Sequence, residues 1–352
     1  MKTKQQVLDL LTRAYGNSKY ILMGEQCGGG REKPAVMLER YANASGGKMP
    51  AVMGVDLACY GLQLPQMGVG SDEWHKTIGQ IVDFAEKGGI VTASSHFANP
   101  TGDAPAWGAC RGKFGGPEAW EEMLTEGTRY NKIIKEELLI DAKFLAELGD
   151  RGVTVLWRPL HEANGSWFWF CAKSHNDMEW IPPQFLRRFW IYIYNLYVNE
   201  LGLKNLIWVY SPNVSQGLPH GTRDVLYYYP GDEYVDMVGL DWYTGNKKEI
   251  NYPGHAYDKM MGVGKIAAIT EFGPAGPLRV PDQKVHTEDQ EKLFNMVDLV
   301  SLMKDLKKQG LKISYVLTWA GGCAAYALGG AEKALDDPFC VTLEKVMELY
   351  ED

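Results

Sequence analysis

Eight short apolar runs alternate with helical patterns along this chain, and that alternation limits what it can fold into. The runs are Tyr20–Met23, Pro50–Asp56, Gly89–Ser95, Val153–Arg158, Asn205–Tyr210, Val235–Asp241, Lys265–Thr270 and Ile313–Trp319. Most lack strict polar alternation, as expected for strands buried on both faces. Helical patterns fill the intervals. Asp72–Lys87 carries Trp74, Ile78, Ile81, Val82 and Phe84 at helical spacing, and Tyr130–Leu148 and Gln184–Leu201 are longer. Thr287–Leu306 opens on a capping-box pattern, Thr287-Glu288-Asp289-Gln290. Eight strand–helix units in 352 residues predict an α/β fold, a (β/α)8 TIM barrel forming a single domain over the whole chain. An open doubly wound sheet is the runner-up, but no G-x-G-x-x-G follows the first run. A helix over Thr3–Tyr15 precedes the barrel and is expected to cover its bottom or side.

In such a barrel the strand C-termini face the functional site. Nearly every run ends in polar or aromatic residues: Glu25 and Gln26, Asp56, Ser94 to His96, Arg158 with His161 and Glu162, Ser211 and Asn213, Asp241 to Tyr243, Glu271, and Trp319. Ionisable groups are costly to bury without partners, so strands ending in them are delivering them to a cleft. Two glutamates, Glu162 and Glu271, end the fourth and seventh runs among Trp and Tyr side chains. Paired carboxylates of this kind are the equipment of a glycosidase. Rings beside Gly, Asn, Asp or Pro suit a cleft that stacks on sugar faces. His161-Glu162 is not a zinc H-E-x-x-H motif, because the second His is missing.

The net charge of −8, with no basic block, argues against nucleic acid and anionic membrane as partners. No apolar run is long enough to span a bilayer. The first residues lack a signal-peptide core, so the protein is expected in the cytoplasm if Met1 is native and outside the cell if a leader was removed. The six cysteines are scattered without C-x-x-C spacing, which disfavours a zinc ribbon or a disulfide scaffold. No cofactor and no metal are expected, and a monomer is. The segment Phe97–Glu126 is too long and too rich in Gly, Pro, Ala and Asp for a plain connector and reads as a functional loop. Within it, Trp107 is either a stacking platform for sugar or a packing anchor for the loop.

Several motifs together resemble glycoside hydrolase family 26. They are Arg158-Pro159-Leu160-His161-Glu162 with Trp167 five residues beyond the Glu, Asp241-Trp242-Tyr243, and Thr270-Glu271-Phe272-Gly273. The likeness runs from Ile21–Gln26 to Leu317–Trp319. It implies a retaining endo-β-1,4-mannanase on a (β/α)8 barrel, acting on mannan, galactomannan or glucomannan by double displacement. By motif, Glu162 is then the acid/base and Glu271 the nucleophile. His96, His161, Trp167, Tyr243 and Trp319 match residues around the sugar at the cleavage point. Arg158 is expected to fix a carboxylate, and Asp241 to support the site or touch substrate. Some members carry an Arg directly after the eighth-strand Trp; here that position is Ala320. An exo-acting mannobiohydrolase, a β-1,3-1,4-glucanase and a β-1,3-xylanase share the machinery and stay open, with a non-catalytic carbohydrate-binding protein as the distant alternative.

Overall fold

The computed structural model describes residues 1–17, 19–102, 106–171, 181–214, 222–244, 255–274, 299–328 and 331–351. Its strands are β1 Ile21–Gln26, β2 Val52–Asp56, β3 Ile90–Ser94, β4 Val155–Arg158, β5 Leu206–Tyr210, β6 Met237–Thr244, β7 Ile266–Pro274, β8 Tyr315–Thr318 and β9 Cys340–Val341. Strands β1 to β8 pair in chain order, all parallel, and β8 returns to β1, so the sheet closes into an eight-stranded barrel. All eight predicted runs became its staves. The open sheet is excluded by that closure. Strand β9, not foreseen, pairs with Ile21 and Leu22, below the residues of β1 that meet β2.

Side-chain parity explains where the site forms. Leu22, Val52, Ile90, Leu156, Ile207, Met237, Ala268 and Tyr315 belong to one buried cluster, together with Val7, Leu10, Leu11 and Ala14 of the helix Lys4–Gly16. They fill the lumen, and the N-terminal helix closes its bottom. That helix starts on a capping box between Thr3 and Gln6. The alternate residues, such as Met53, Val91, Val155, Trp157, Trp208, Leu240 and Val316, pack outward in the second cluster shared with the helical ring. Toward the strand C-termini the same parity delivers polar groups on β3 and β4. Arg158 follows Leu156, and Ser94 follows Ile90 through Thr92; all of these are buried.

Strand β7 breaks the parity. Ala268 faces the lumen, so simple alternation would turn Glu271 outward. The ladder with β6 pairs Leu240 with Ile269 but Asp241 with Glu271, leaving Thr270 as an extra residue. This bulge brings both Thr270 and Glu271 to the lumen side. Gly239 on β6 makes room for it, because a Cβ there would lie 2.4 Å from Thr270 Oγ1.

The helical predictions at Asp72 and Tyr130 correspond to helices Asp72–Glu86 and Arg129–Asp150. The Gln184–Leu201 pattern is a helix, Pro183–Tyr194, that widens into a π turn over Asn195–Glu200. Of Thr287–Leu306 the structure describes the helix Leu299–Gln309, and the capping box lies outside the described residues. The long third loop carries a 3-10 turn at Ala106–Cys110 and a helix at Pro117–Leu124. It is anchored by Trp169, whose indole donates to the Phe97 carbonyl across 2.7 Å and whose ring stacks on Trp120.

Candidate active site

The turn after β4 carries the most unusual backbone in the site. Leu160 and Glu162 both sit in the left-handed region, at φ 53° and 54°. For residues other than Gly this costs about 1–3 kcal/mol each. Hydrogen bonds hold the turn: Glu162 N–H donates to the Ser211 carbonyl, and Gly165 N–H to the Glu162 carbonyl, both across 2.8 Å. The result is that His161 and Glu162, adjacent in sequence, both reach the mouth of the lumen, and both are buried.

Glu162 is gripped at both oxygens. The Trp167 indole N–H donates to Oε2 across 2.6 Å, and the Asn213 side-chain amide donates to Oε1. By resemblance Trp167 is expected beside the sugar at the cleavage point, and here its indole is bonded to the carboxyl. The ring offers its polar edge, because the indole N–H also needs a partner. Asn213 is held in turn by Asn164, whose side chain spans the β4 and β5 loops.

Glu271 lies opposite. Arg158 donates to its Oε1 across 3.0 Å and the Tyr243 hydroxyl to its Oε2 across 2.8 Å. The other arm of Arg158 bonds Asp241 Oδ1 at 3.0 Å, an oxygen that also accepts from Ser211 and Thr270. Burial and the facing Glu271 push the Asp241 carboxyl well above its ordinary range, against the pull of Arg158. One carboxylate oxygen from each of Glu162, Asp241 and Glu271 lies within 4.8 Å of the others.

A pair of histidines forms the adjoining wall. His96 Nδ1 is 2.7 Å from Asp56 Oδ2, and its Nε2 is 3.1 Å from His161 Nε2. Burial alone would push the His96 imidazole down, but the Asp56 carboxylate more than reverses this and raises it to about 9. Burial, then the charge on His96 and on Arg158, hold His161 well below the ordinary imidazole range. Phe168 packs on both rings.

Trp319 lies past the end of β8, half-buried, with its ring 6.1 Å from His96. Tyr60, which the sequence reading missed, bridges them, 5.3 Å from Trp319 and 5.4 Å from His96. Its only signal was an aromatic residue in the loop directly after a strand ending in Asp. The structure thus brings together Glu162, Glu271, His96, His161, Trp167, Tyr243, Trp319, Arg158 and Asp241. Trp107 falls in the 3-10 turn of the third loop, and its side chain lies outside the described residues. Asp56 has its bonds within the protein, to Ser94, His96 and Gly61.

Opposed carboxylates at the C-terminal mouth of a (β/α)8 barrel, walled by aromatic rings, define the architecture of a glycoside hydrolase. The chain belongs to glycosyl hydrolase family 26, whose family model matches residues 1–344. It is 27% identical over 346 residues to a mannan endo-1,4-beta-mannosidase A and B of Caldalkalibacillus mannanilyticus, covering 97% of this chain and 60% of that protein. A Bacillus subtilis mannan endo-1,4-beta-mannosidase is 33% identical over 239 residues, 67% of this chain and 60% of its own. The chain therefore spans about three fifths of the length of these two relatives. The solved structure of a Bacillus subtilis mannanase superposes with a TM-score of 0.76 at 25% identity, over 97% of this chain and 93% of its own.

Proposed function

We propose that this protein is a retaining endo-β-1,4-mannanase in which Glu162 is the acid/base and Glu271 the nucleophile. The observation that carries the reading is the approach of the two carboxylates. Nearest oxygens within 4.8 Å suit the short separation of retaining enzymes, about 5–5.5 Å, rather than the about 6.5–9.5 Å of inverting ones. The relatives named as mannan endo-1,4-beta-mannosidases supply the substrate class.

In the first step Glu271 attacks the anomeric carbon while Glu162 gives its proton to the departing glycosidic oxygen. A glycosyl ester forms on Glu271 and the aglycone leaves as an alcohol. Arg158 and Tyr243 orient the attacking carboxylate, and both bonds point at oxygens rather than at the sugar. In the second step Glu162 takes a proton from water, which attacks the same carbon and releases Glu271. His96, His161 and Trp319, joined by Tyr60, form the wall against which the sugar sits.

The test is a panel of mannan, glucomannan, lichenan and β-1,3-xylan with product sizing. Mixed oligosaccharides from mannan, first released as the β-anomer, are expected, and Glu271→Gln should release no reducing sugar. Mannobiose alone as the first product would make the enzyme exo-acting. First release of the α-anomer would remove Glu271 as nucleophile.

A further inference from the structure

We propose that Asp56 is a positioning residue that sets the direction of the proton shared by His96 and His161. His96 is the donor, and His161 Nε2, the nitrogen that faces Glu271, is the acceptor. The inference rests on the reading of Glu271 as nucleophile only for its consequence, not for its geometry.

Two ring nitrogens 3.1 Å apart share one proton, and either ring can own it. Asp56 decides. It is fully buried on β2, and its Oδ2 accepts from Ser94 Oγ, from the His96 backbone N–H and from His96 Nδ1. Oδ2 has no capacity left for a proton of its own, so His96 Nδ1 must be N–H. Among the described residues, the salt-bridge partner of Asp56 is His96. A neutral His96 would leave the Asp56 carboxylate buried without a counter-charge, which is costly, whereas an imidazolium there pairs with it directly. Of the titratable groups around His96, Cys110 from the third loop and Glu271 from β7 favour its charge, and Tyr60 from the loop after β2 packs its ring 5.4 Å away. His161 is in the opposite situation, buried with Arg158 and the charged His96 as neighbours.

The consequence concerns Glu271. His161 Nε2 is 3.8 Å from Glu271 Oε1. With the proton pointing from His96 into that nitrogen, His161 offers Glu271 no N–H. The nucleophile then keeps Arg158 and Tyr243 as its donors.

Imidazole nitrogen chemical shifts of the full-length protein, labelled with 15N-histidine, read the direction. His96→Gln and His161→Gln spectra identify the two rings among the seven histidines. In the wild type both His96 nitrogens should carry protons at neutral pH and lose one only near pH 9, while His161 Nε2 stays bare throughout. In Asp56→Asn the His96 transition should fall toward 6.5 and His161 Nε2 should gain the proton at neutral pH. Asp56→Glu should restore part of the upward shift. A neutral His96 at pH 7, or a proton resident on His161 Nε2 in the wild type, overturns the proposal even if Asp56→Asn fails to fold. Unchanged histidine signals in a folded Asp56→Asn overturn it as well. Absence of glycanase activity in the wild type would defeat the functional reading and leave the histidine spectrum to stand separately.

Discussion

The Trp167 indole donates a hydrogen bond to Glu162 across 2.6 Å, five residues along a turn that neither residue could make from a regular strand. On the proposed reading the bond steadies the carboxyl that exchanges a proton with the leaving group. Trp167→Phe keeps most of the ring and removes the donor. A hydrogen bond to a charged group is worth about 1.5–3 kcal/mol, so kcat/KM on mannan should fall roughly tenfold to a hundredfold. An activated aryl β-mannoside, which needs little protonation, should suffer less in its first step. Equal losses on both substrates would mean that Trp167 positions sugar rather than the acid.

Gly165 protects the same contact. A Cβ at this position would lie 2.5 Å from the Trp167 ring, so Gly165→Ala must displace the indole. The turn is already held by the Gly165 N–H bond to Glu162, which alanine retains. Gly165→Ala should therefore fold with a midpoint close to the wild type and lose activity to an extent similar to Trp167→Phe. A variant with full activity would show that the indole can shift without cost.

How much of this was legible in the sequence depends on which physical rule places each residue. Parity along a strand places Arg158 above Leu156 and Asp56 above Val52, and those readings needed only the apolar runs. The strand ends singled out Glu162 and Glu271, and the resemblance assigned their roles. Parity alone would have turned Glu271 out of the lumen, because the extra Thr270 in the β7 ladder has no marker in a run of apolar residues. The left-handed turn at Leu160 and Glu162 is likewise hidden, since neither residue type favours that region. The Asp56–His96–His161 chain joins three separate segments and exists only in the closed barrel. Strand β9 is two residues long and carries no periodicity to read.

Among the described residues Arg158 is the one cation bonded to both Asp241 and Glu271, and it is almost completely buried. Removing one partner of such a group leaves uncompensated charge, at a cost of about 3–5 kcal/mol. Arg158→Met should lower unfolding stability in urea by that order and abolish mannan hydrolysis. A loss below about 1 kcal/mol would place the pair in the class of exposed ion pairs, against its burial.

Asp141, on the helix Arg129–Asp150, gives a stability prediction with a sign. Burial pushes its carboxyl up to about 8 from an ordinary 3.8, although Ser95 donates to it across 2.6 Å. Between those values the folded protein holds a proton that the unfolded chain releases, so its contribution is complete below about 3.8 and is lost as pH rises through about 8. Asp141→Asn cannot ionise. Its urea midpoint relative to the wild type should therefore rise steadily from pH 4 to pH 8 and level off above. A difference that does not change with pH would mean that Asp141 is charged in the folded protein.

The roles of the two glutamates separate by the stereochemistry of rescue. Glu271→Ala should abolish turnover on every substrate, because no glycosyl ester can form. Glu162→Ala should still react with an activated aryl β-mannoside, whose leaving group departs without help, and its glycosyl-enzyme should accumulate for want of a base. Azide added to Glu162→Ala meets that intermediate from the water side and should give the β-glycosyl azide. Azide added to Glu271→Ala enters the space the carboxylate vacated, attacks from that face, and should give the α-azide. The one-bond C1–H1 coupling in the products distinguishes the two, because the H1–H2 coupling is small in both anomers of a manno-configured sugar. The same variants with the azides exchanged would reverse the assignment of Glu162 and Glu271. Undiminished hydrolysis of mannan by both variants would remove the pair from the reaction.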